Sequence, residues 1–508
     1  MRKLAALLLA VVMILGSGGC ETGETGPSEG PSPEPTATQQ IQAQPFALAY
    51  DPAAPLHPIT GQSQVNLDLA GLVYEGLYEL DQTFMPQPAL AQSASVSEDG
   101  LVWTITLRSG IRFSDGTALT AAHVVASLAT ARSSGLYGQR LSGIAGVTES
   151  EGRVVITLSA PNGGLAALLD VPIVLEQADG IPLGTGRYRF AQEGGTVTLR
   201  VNDNYSGSVP YEEIPLRAVT GADERIAAFD SGEVTAVVTD VSSSYALGYS
   251  GNYEACDFPT SNLLYVGFKT GSGACASVQV RQAFSKAFDR ELLVASLLAG
   301  HGDAASLPIS PVHGEYDAEA AAELDYDRQG GEELLASAGY TKGEDGLYYR
   351  GVAPLSVTLV VNNDSTAKQA IADYLAQCLS ALGVTVTVNK LPWAEYQTAL
   401  TEGAYDLYLG EVRMTGDFDP AALLMGNLNY GGYASQTVPA LLTAWQGARG
   451  EARVQAAAQL WQAFAQEAPI APLCFKRGSL LIRWGMVTNV QPTQADPWWN
   501  MEQWELAE

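Results

Sequence analysis

Apolar and polar residues alternate along several short stretches of the chain, as they do in half-buried β-strands. The pattern is clearest at residues 101–107, which read Leu-Val-Trp-Thr-Ile-Thr-Leu. The same reasoning predicts further strands at 154–158, 196–201, 355–361, 384–388 and 405–409. These strands are separated by segments of different periodicity, so the chain is not an all-β protein.

Between the strands, apolar residues recur with helical spacing. Thr120 predicts the N-cap of a helix, and residues 280–299 predict one long helix that stops at Gly300. A further helix at 367–382 ends at Gly383 and lies between two predicted strands. A strand–helix–strand order of this kind predicts a parallel pair joined by a crossover helix. The fold class is therefore predicted to be α/β.

The first apolar run of the chain has another meaning. Two basic residues open the chain, an uncharged apolar run covers 4–15, and small residues then lead to Cys20. This order predicts an export signal, and the run is shorter than the roughly 20 residues that a membrane span needs. The segment 1–20 resembles a bacterial lipoprotein signal peptide, in which Cys20 receives a lipid. A plain cleaved signal with an incidental cysteine is the alternative.

Residues 21–45 differ in composition from the rest of the chain. They consist mostly of Glu, Thr, Gly, Pro, Ser, Ala and Gln. Such a segment cannot bury enough apolar surface to offset its ordering entropy, and its prolines keep it extended. We therefore predict a disordered tether that holds a folded body away from a membrane.

Composition narrows the class of protein further. The chain has 508 residues, is 46% hydrophobic and carries a formal net charge of −28. A body of this length is expected to contain two or three domains. A surface this acidic repels nucleic acid and anionic lipid, so no nucleic-acid partner is expected.

Four cysteines follow Cys20 in the sequence. Cys256 and Cys275 flank an apolar stretch, and export permits a disulfide between them, although the sequence does not decide whether they pair. Cys378 and Cys474 lie among apolar residues and are expected to be core thiols.

Signals of enzymes and of metal sites are weak. The sequence has no Gly-x-Ser-x-Gly motif and no His-Glu-x-x-His motif. The four histidines show no metal-ligand spacing; they are His57, His123, His301 and His313. No catalytic residue, metal or cofactor is therefore predicted. A secreted hydrolase that uses a pair of carboxylates is the less favoured alternative.

Several sequence blocks resemble one family in both content and order. They are Tyr74-Glu75-Gly76-Leu77-Tyr78, Leu107-Arg108-Ser109-Gly110-Ile111-Arg112-Phe113-Ser114-Asp115-Gly116, Gly184-Thr185-Gly186-Arg187-Tyr188, Val280-Arg281-Gln282-Ala283-Phe284 and Tyr405-Asp406-Leu407. The chain resembles the extracellular solute-binding family 5 of ABC importers, the oligopeptide- and dipeptide-binding type. It departs from the usual pattern at His123, where an acid is common, and at Arg187, where a proline is common.

The resemblance implies a two-lobed, periplasmic-binding-protein-like clamp of type II with an extra subdomain in the first lobe. Lobe I would comprise 46–261 and 478–508, with the subdomain at about 75–182, and lobe II would comprise 262–477. The chain would cross between the lobes near residues 261–262 and 477–478. Such lobes close over a ligand and bury it between them.

The resemblance also implies ligand-binding residues. Asp417 matches the aspartate that holds a peptide's amino end, and Trp393 matches a tryptophan that walls the cleft. Tyr430 and Tyr433, in a Gly-rich loop, are further wall candidates, and Arg413 lies just before the aspartate.

The expected function is that of a monomeric substrate-binding lipoprotein that captures extracellular peptides and delivers them to the permease subunits of an ABC importer. Its expected location is the outer face of the cytoplasmic membrane, or the periplasm. The same fold binding a nickel chelate, a sugar or a signalling peptide is the alternative.

Overall fold

The computed structural model describes residues 45–178, 180–240 and 248–506. The predicted signal peptide with Cys20, and the predicted tether up to residue 44, lie outside this part of the chain. Within it, no helix combines the length and apolar character that a membrane span requires.

Thirteen α-helices lie within the described residues: α1 Gln64–Leu67, α2 Ala70–Val73, α3 Ala121–Ser133, α4 Ala222–Ser231, α5 Val278–Ala287, α6 Arg290–Leu297, α7 Ala318–Ala322, α8 Arg328–Ser337, α9 Thr366–Leu382, α10 Trp393–Glu402, α11 Ala421–Leu424, α12 Val438–Gly447 and α13 Glu451–Glu467. The 3₁₀-helices described are Leu165–Leu168, Ala274–Ala276 and Met501–Gln503. The strands lie between these helices, so the predicted α/β class is confirmed.

Two sheets of four strands pack on the same hydrophobic core, and the part of the molecule around this core is called the first lobe here. One has the order β1-β10-β9-β8 and consists of β1 Leu48–Tyr50, β8 Tyr188–Glu193, β9 Thr196–Val201 and β10 Glu213–Ala218. The other is antiparallel with the order β4-β5-β7-β6 and consists of β4 Ala91–Val96, β5 Val102–Leu107, β6 Ile144–Ser150 and β7 Arg153–Leu158. Trp103 and Ile105 are buried on β5 while their neighbours are less so, which is why the alternating pattern predicted this strand.

A sheet of seven strands is central to the molecule. Its main path has the order β11-β20-β12-β19-β17-β18, with β13 pairing β20, and its members are β11 Ala236–Thr239, β12 Tyr253–Phe268, β13 Gly302–Ala304, β17 Ser356–Asn362, β18 Thr385–Leu391, β19 Leu407–Arg413 and β20 Ile470–Arg483. β17 runs parallel to both β18 and β19, and α9 connects β17 to β18. The predicted crossover unit is thereby confirmed.

The remaining strands form small hairpins and ribbons. They are β2 Tyr78–Leu80 with β3 Pro86–Pro88, β14 Thr341–Lys342 with β15 Tyr348–Arg350 and β16 Ala353–Pro354, and β21 Val487–Thr488 with β22 Glu505–Leu506. The β2–β3 hairpin borders a large cleft in the molecule.

The single long helix predicted for 280–299 is wrong, because the structure has two helices, α5 and α6, in its place. Phe288 leaves the helical conformation at the end of α5. The Asp289 carboxylate then caps α6 by accepting a bond from the backbone N–H of Leu292 at 2.9 Å. Apolar spacing continues across this break, so periodicity alone does not reveal it.

β12 and β20 are the longest strands described, and each passes from one hydrophobic core to another. Leu480 and Ile482 of β20 belong to the core of the first lobe, whereas Leu473 and Cys474 belong to a core of the second lobe. The pairing of β12 with β20 shifts register between Pro259 and Leu263. These irregular stretches coincide with the passage between the two cores.

The C-terminal segment returns to the first lobe. Trp498 and Trp504 pack edge-on against Phe46, with ring centroids 6.1 and 5.9 Å away. The indole Nε1 of Trp498 donates to the backbone oxygen of Asp68 at 2.6 Å. These contacts place the chain's end beside the first described strand.

The possible disulfide between Cys256 and Cys275 is corrected by the structure, in which both are free thiols. Cys256 lies near the start of β12 and packs on the core of the first lobe, whereas Cys275 follows the end of β12 and lies in a core of the second lobe. A strand rises about 3.3 Å per residue, so the two thiols belong to opposite ends of a long element and cannot meet.

Candidate ligand-binding cleft

A cleft of about 1140 Å³ is lined by residues of both lobes. The first lobe contributes parts of 58–84, 135–172, 222–240, 258–261 and 478–497, and the second contributes residue 262 and parts of 411–428. A cavity of this size is large enough for a small peptide or a cofactor-sized solute. Its charged side chains therefore decide what it can hold.

Three guanidinium groups line the cleft, those of Arg140, Arg225 and Arg413. Burial lowers the pKa of Arg413, which ends β19 in the second lobe, and the nearby positive charge of Arg140 lowers it further. Arg140 itself bonds to Asp170 and donates to the backbone oxygen of Leu168 at 3.2 Å. Guanidinium groups of both lobes thus lie close enough for their charges to interact.

Some of their hydrogen-bonding capacity is unused. The Nε atoms of Arg140 and Arg225 are buried and have no hydrogen-bond partner among the described residues. Arg413 makes no side-chain hydrogen bond or ion pair within that part of the chain. A buried donor without a partner is costly, so these groups are suited to receive an acceptor from a ligand.

Eight carboxylates also line the cleft: Asp68, Glu79, Asp81, Asp170, Asp240, Glu411, Asp419 and Asp496. Most already have partners inside the protein. Glu411 pairs with Lys368 at 2.8 Å, Asp496 pairs with Arg187 at 3.2 Å, and Asp419 accepts from Gln446 at 2.7 Å. These acids are therefore largely committed to the fold.

Glu79 differs from them. Its carboxylate makes no hydrogen bond or ion pair with any side chain or backbone group that the structure describes. Burial raises its pKa to about 7, and the neighbouring charge of Asp496 adds to the rise. Burial also raises the pKa of Asp68 to about 6, although a bond from Gln64 at 2.7 Å opposes this. The cleft thus holds one carboxylate, that of Glu79, and one guanidinium group, that of Arg413, that have no hydrogen-bond or ion-pair partner among the described residues.

The sequence as a whole now decides the family. The model of the bacterial extracellular solute-binding proteins, family 5 (middle), matches residues 85–435. The chain belongs to this family. The match includes Arg140 and Arg413 of the cleft, whereas Glu79 lies just before its first residue.

Curated relatives of this family 5 protein support the assignment. The oligopeptide-binding protein AppA of Bacillus subtilis is 24% identical over 356 residues, which are 65% of this chain and 65% of AppA. The match thus spans slightly less than two thirds of AppA. The glutathione-binding protein GsiB of Salmonella typhimurium is 26% identical over 368 residues, covering 68% of this chain and 69% of GsiB.

Solved structures support the fold. NikZ from Campylobacter jejuni, in complex with Ni(L-His), superposes with a TM-score of 0.63 and 21% identity over 92% of this chain and all of NikZ. The two-lobed, periplasmic-binding-protein-like fold expected from the sequence is thereby confirmed.

Of the five predicted ligand-binding residues, Arg413 lines the cleft of this family 5 protein. Asp417 does not: it is 5% exposed, accepts from the Thr415 hydroxyl at 2.6 Å and from the Asn162 amide at 3.3 Å. Its neighbours Thr415 and Gly416 do line the cleft. The backbone thus brings the predicted segment to the site but turns the Asp417 carboxylate away from it.

The predicted aromatic wall is also absent from the described cleft lining. Trp393 is 51% exposed at the start of α10, where it stacks on Tyr396 at 5.7 Å. Tyr430 packs edge-on against another tyrosine of the core, Tyr408. The Tyr433 hydroxyl donates to Glu467 at 2.6 Å. In this arrangement all three predicted wall residues serve packing or hydrogen bonding outside the cleft.

Sequence reasoning missed the first-lobe half of the site. Glu79 directly follows the block that ends at Tyr78, and Arg140 lies in an irregular segment after α3. Neither has a motif of its own, since both reach the cleft only through tertiary folding. The only available signal was a charged residue next to a recognised block.

No group of three or more His, Cys, Asp or Glu residues within the described ranges is placed to hold a metal ion. None of the histidines lies among the residues that line the cleft.

Proposed function

We propose that this protein is the substrate-binding lipoprotein of an ABC importer, and that it captures extracellular peptides in the interlobe cleft for delivery to the membrane permease. The observation that carries the proposal is the coexistence, in one cleft, of the Arg413 guanidinium and the Glu79 carboxylate, neither of which has a hydrogen-bond or ion-pair partner among the described residues. A peptide with free ends presents the complementary pair of charges. The relatives AppA and GsiB, named for binding oligopeptides and glutathione, support this solute class.

The proposed lobe boundaries follow the two long strands. Lobe I comprises 46–261 and 478–508, with a subdomain at about 75–182, and lobe II comprises 262–477. β12 and β20 change cores where their register is irregular, which suits a hinge of two short crossings. Such a hinge would let the lobes close over the solute as a monomeric clamp.

The charges suggest how a peptide would lie. Its carboxylate would lie at Arg413 and Arg140, where it would relieve the repulsion between two guanidinium groups of different lobes. Its ammonium would lie near Glu79, whose carboxylate has no other partner among the described residues. This arrangement differs from the one implied by the resemblance, in which Asp417 holds the ammonium.

Native mass spectrometry first identifies a tripeptide that the protein captures from a pool of tripeptides with free ends. Isothermal titration calorimetry then measures the affinity of the protein for this tripeptide. Arg413→Gln should weaken binding on the order of tenfold or more, since a charged hydrogen bond is lost. Arg328→Gln, on the exposed surface of α8, is the matched control and should bind as the wild type does.

The same peptide with an amidated carboxyl end serves as a second ligand, so that the protein and the ligand are each changed at one charged group. Because the amide lacks the charge that Arg413 would bind, wild type and Arg413→Gln should bind it with similar affinity. If Arg413→Gln loses as much affinity for the amide as for the acid, the guanidinium does not read the ligand carboxylate. A nickel–histidine chelate, run alongside, tests the alternative that the neighbour NikZ suggests.

The lipid anchor is a separate part of the proposal. Small residues precede Cys20, and a tether-like composition follows it. Changing Cys20 to alanine should move the protein from the membrane fraction to the soluble fraction of cells that export it. A Cys20→Ala protein that still sediments with membranes would count against lipidation.

A further inference from the structure

The subdomain of the first lobe contacts the second lobe through the loop at 161–164. The Asn162 side-chain amide donates to the Asp417 carboxylate at 3.3 Å, and the backbone N–H of Gly163 donates to the backbone oxygen of Gln446 at 2.6 Å. Asp417 and Gln446 belong to the second lobe. Both bonds are made directly between the two chain segments.

Two glycines permit this close approach. A Cβ atom on Gly163 would lie 1.8 Å from the backbone oxygen of Ala448, and one on Gly416 would lie 2.6 Å from the backbone oxygen of Ala167. Neither glycine has the left-handed backbone conformation that would otherwise explain its presence. Each therefore serves the contact between the subdomain and the second lobe.

An aromatic pair extends the same contact. Phe84, at the tip of the β2–β3 hairpin, packs edge-on against Phe418 of the second lobe with ring centroids 4.9 Å apart. Both rings are buried, and both residues have positive φ, 61° and 53°. Bulky side chains rarely adopt this conformation, and such strain persists only where the surroundings enforce it. Leu80 and Ala167 of the first lobe join the same core as Phe418.

From these contacts we infer that the loop 161–164 and the β2–β3 hairpin form an interlobe latch, which holds the subdomain on the second lobe in the absence of ligand. In this role Asp417 bonds the two lobes together instead of holding a peptide's ammonium. Leu80, Phe84 and Gly416 of this contact also line the cleft, so the latch borders the proposed binding site directly. The inference rests on the proposed hinge and not on the identity of the solute.

Two variants test the latch. Gly163→Ala adds a methyl group that collides with the backbone of Ala448, and Asn162→Ala removes the bond to Asp417. Gly143→Ala is the matched control, because a Cβ atom there meets nothing within 4 Å and the residue lies in the same subdomain. Thermal melting of each variant reports whether it is folded.

The readout is single-molecule energy transfer between dyes at the exposed positions Glu149 and Glu395, introduced through non-canonical residues. The protein is stripped of co-purified solute by unfolding and refolding, and no ligand is added. We expect lower mean transfer efficiency in Gly163→Ala and Asn162→Ala than in wild type and Gly143→Ala. Unchanged efficiency in both folded latch variants would overturn the inference, whatever solute the cleft binds.

Discussion

At the scale of single residues, the burial of Glu79 in the cleft lowers the stability of the folded protein when its carboxylate is ionised. Burial and the neighbouring Asp496 raise its pKa to about 7 from the ordinary value of 4.5. The folded protein therefore holds a proton on Glu79 that the unfolded chain releases at a lower pH. The stability that comes with this bound proton is lost as the pH rises through about 7.

Glu79→Gln should therefore stabilise the ligand-free protein at pH 8 by about 1–3 kcal/mol, because the neutral amide avoids burial of a charge. Near pH 4.5, where the wild-type carboxyl is already protonated in the folded state, the two proteins should melt together. Differential scanning calorimetry at both pH values measures this. Glu98→Gln, on an exposed turn, is the control and should change neither melting temperature. Equal stabilisation at both pH values would show that ionisation is not the cause.

Residues that depart from the family pattern fit their surroundings well. The ring Nδ1 of His123 accepts from the backbone N–H of Thr120 at 3.2 Å and so completes the cap of α3 in place of an acid. Arg187 is buried and donates to Glu502 at 2.7 Å and to the backbone oxygen of Gly71 at 2.9 Å. The second departure thus ties the C-terminal segment to the first lobe.

At the scale of elements, the spacing of apolar residues predicted helices and strands correctly where nearby residues determine their ends. The strand–α9–strand unit was predicted almost to its ends, because Gly383 takes a positive φ of 100° that stops the helix and the valines after it alternate. The division of 280–299 into α5 and α6 was missed, since Asp289 as a cap becomes visible only where Phe288 departs from the helix.

The candidate site was likewise predicted only in part from the sequence. The sequence brought attention to the segment from Arg413 to Asp419, and the structure places much of that segment along the cleft. It could not show which carboxylate points inward, because Asp417 is turned by bonds to Thr415 and to the distant Asn162. It also could not show that Arg140 and Arg413 lie close together, because they approach each other only once the subdomain and the second lobe are folded together.

At the scale of the whole molecule, β12 and β20 connect the two halves and form the proposed hinge. These strands run through the passage between the lobe cores, with irregular pairing between Pro259 and Leu263. The interlobe latch supplies a second connection on the subdomain side. The cleft thus lies between the proposed hinge strands and the docked hairpin, which favours a clamp with a limited opening.

We propose that a zwitterionic solute binds between the lobes and touches both. Hydrogen exchange with mass spectrometry tests this, using the captured tripeptide at saturating concentration and the ligand-stripped protein as reference. We expect the bound peptide to slow exchange both in the segment around Arg140 of the subdomain and in the segment 411–416 of the second lobe. Protection confined to a single lobe, with the peptide fully bound, would show that the solute does not bridge the lobes.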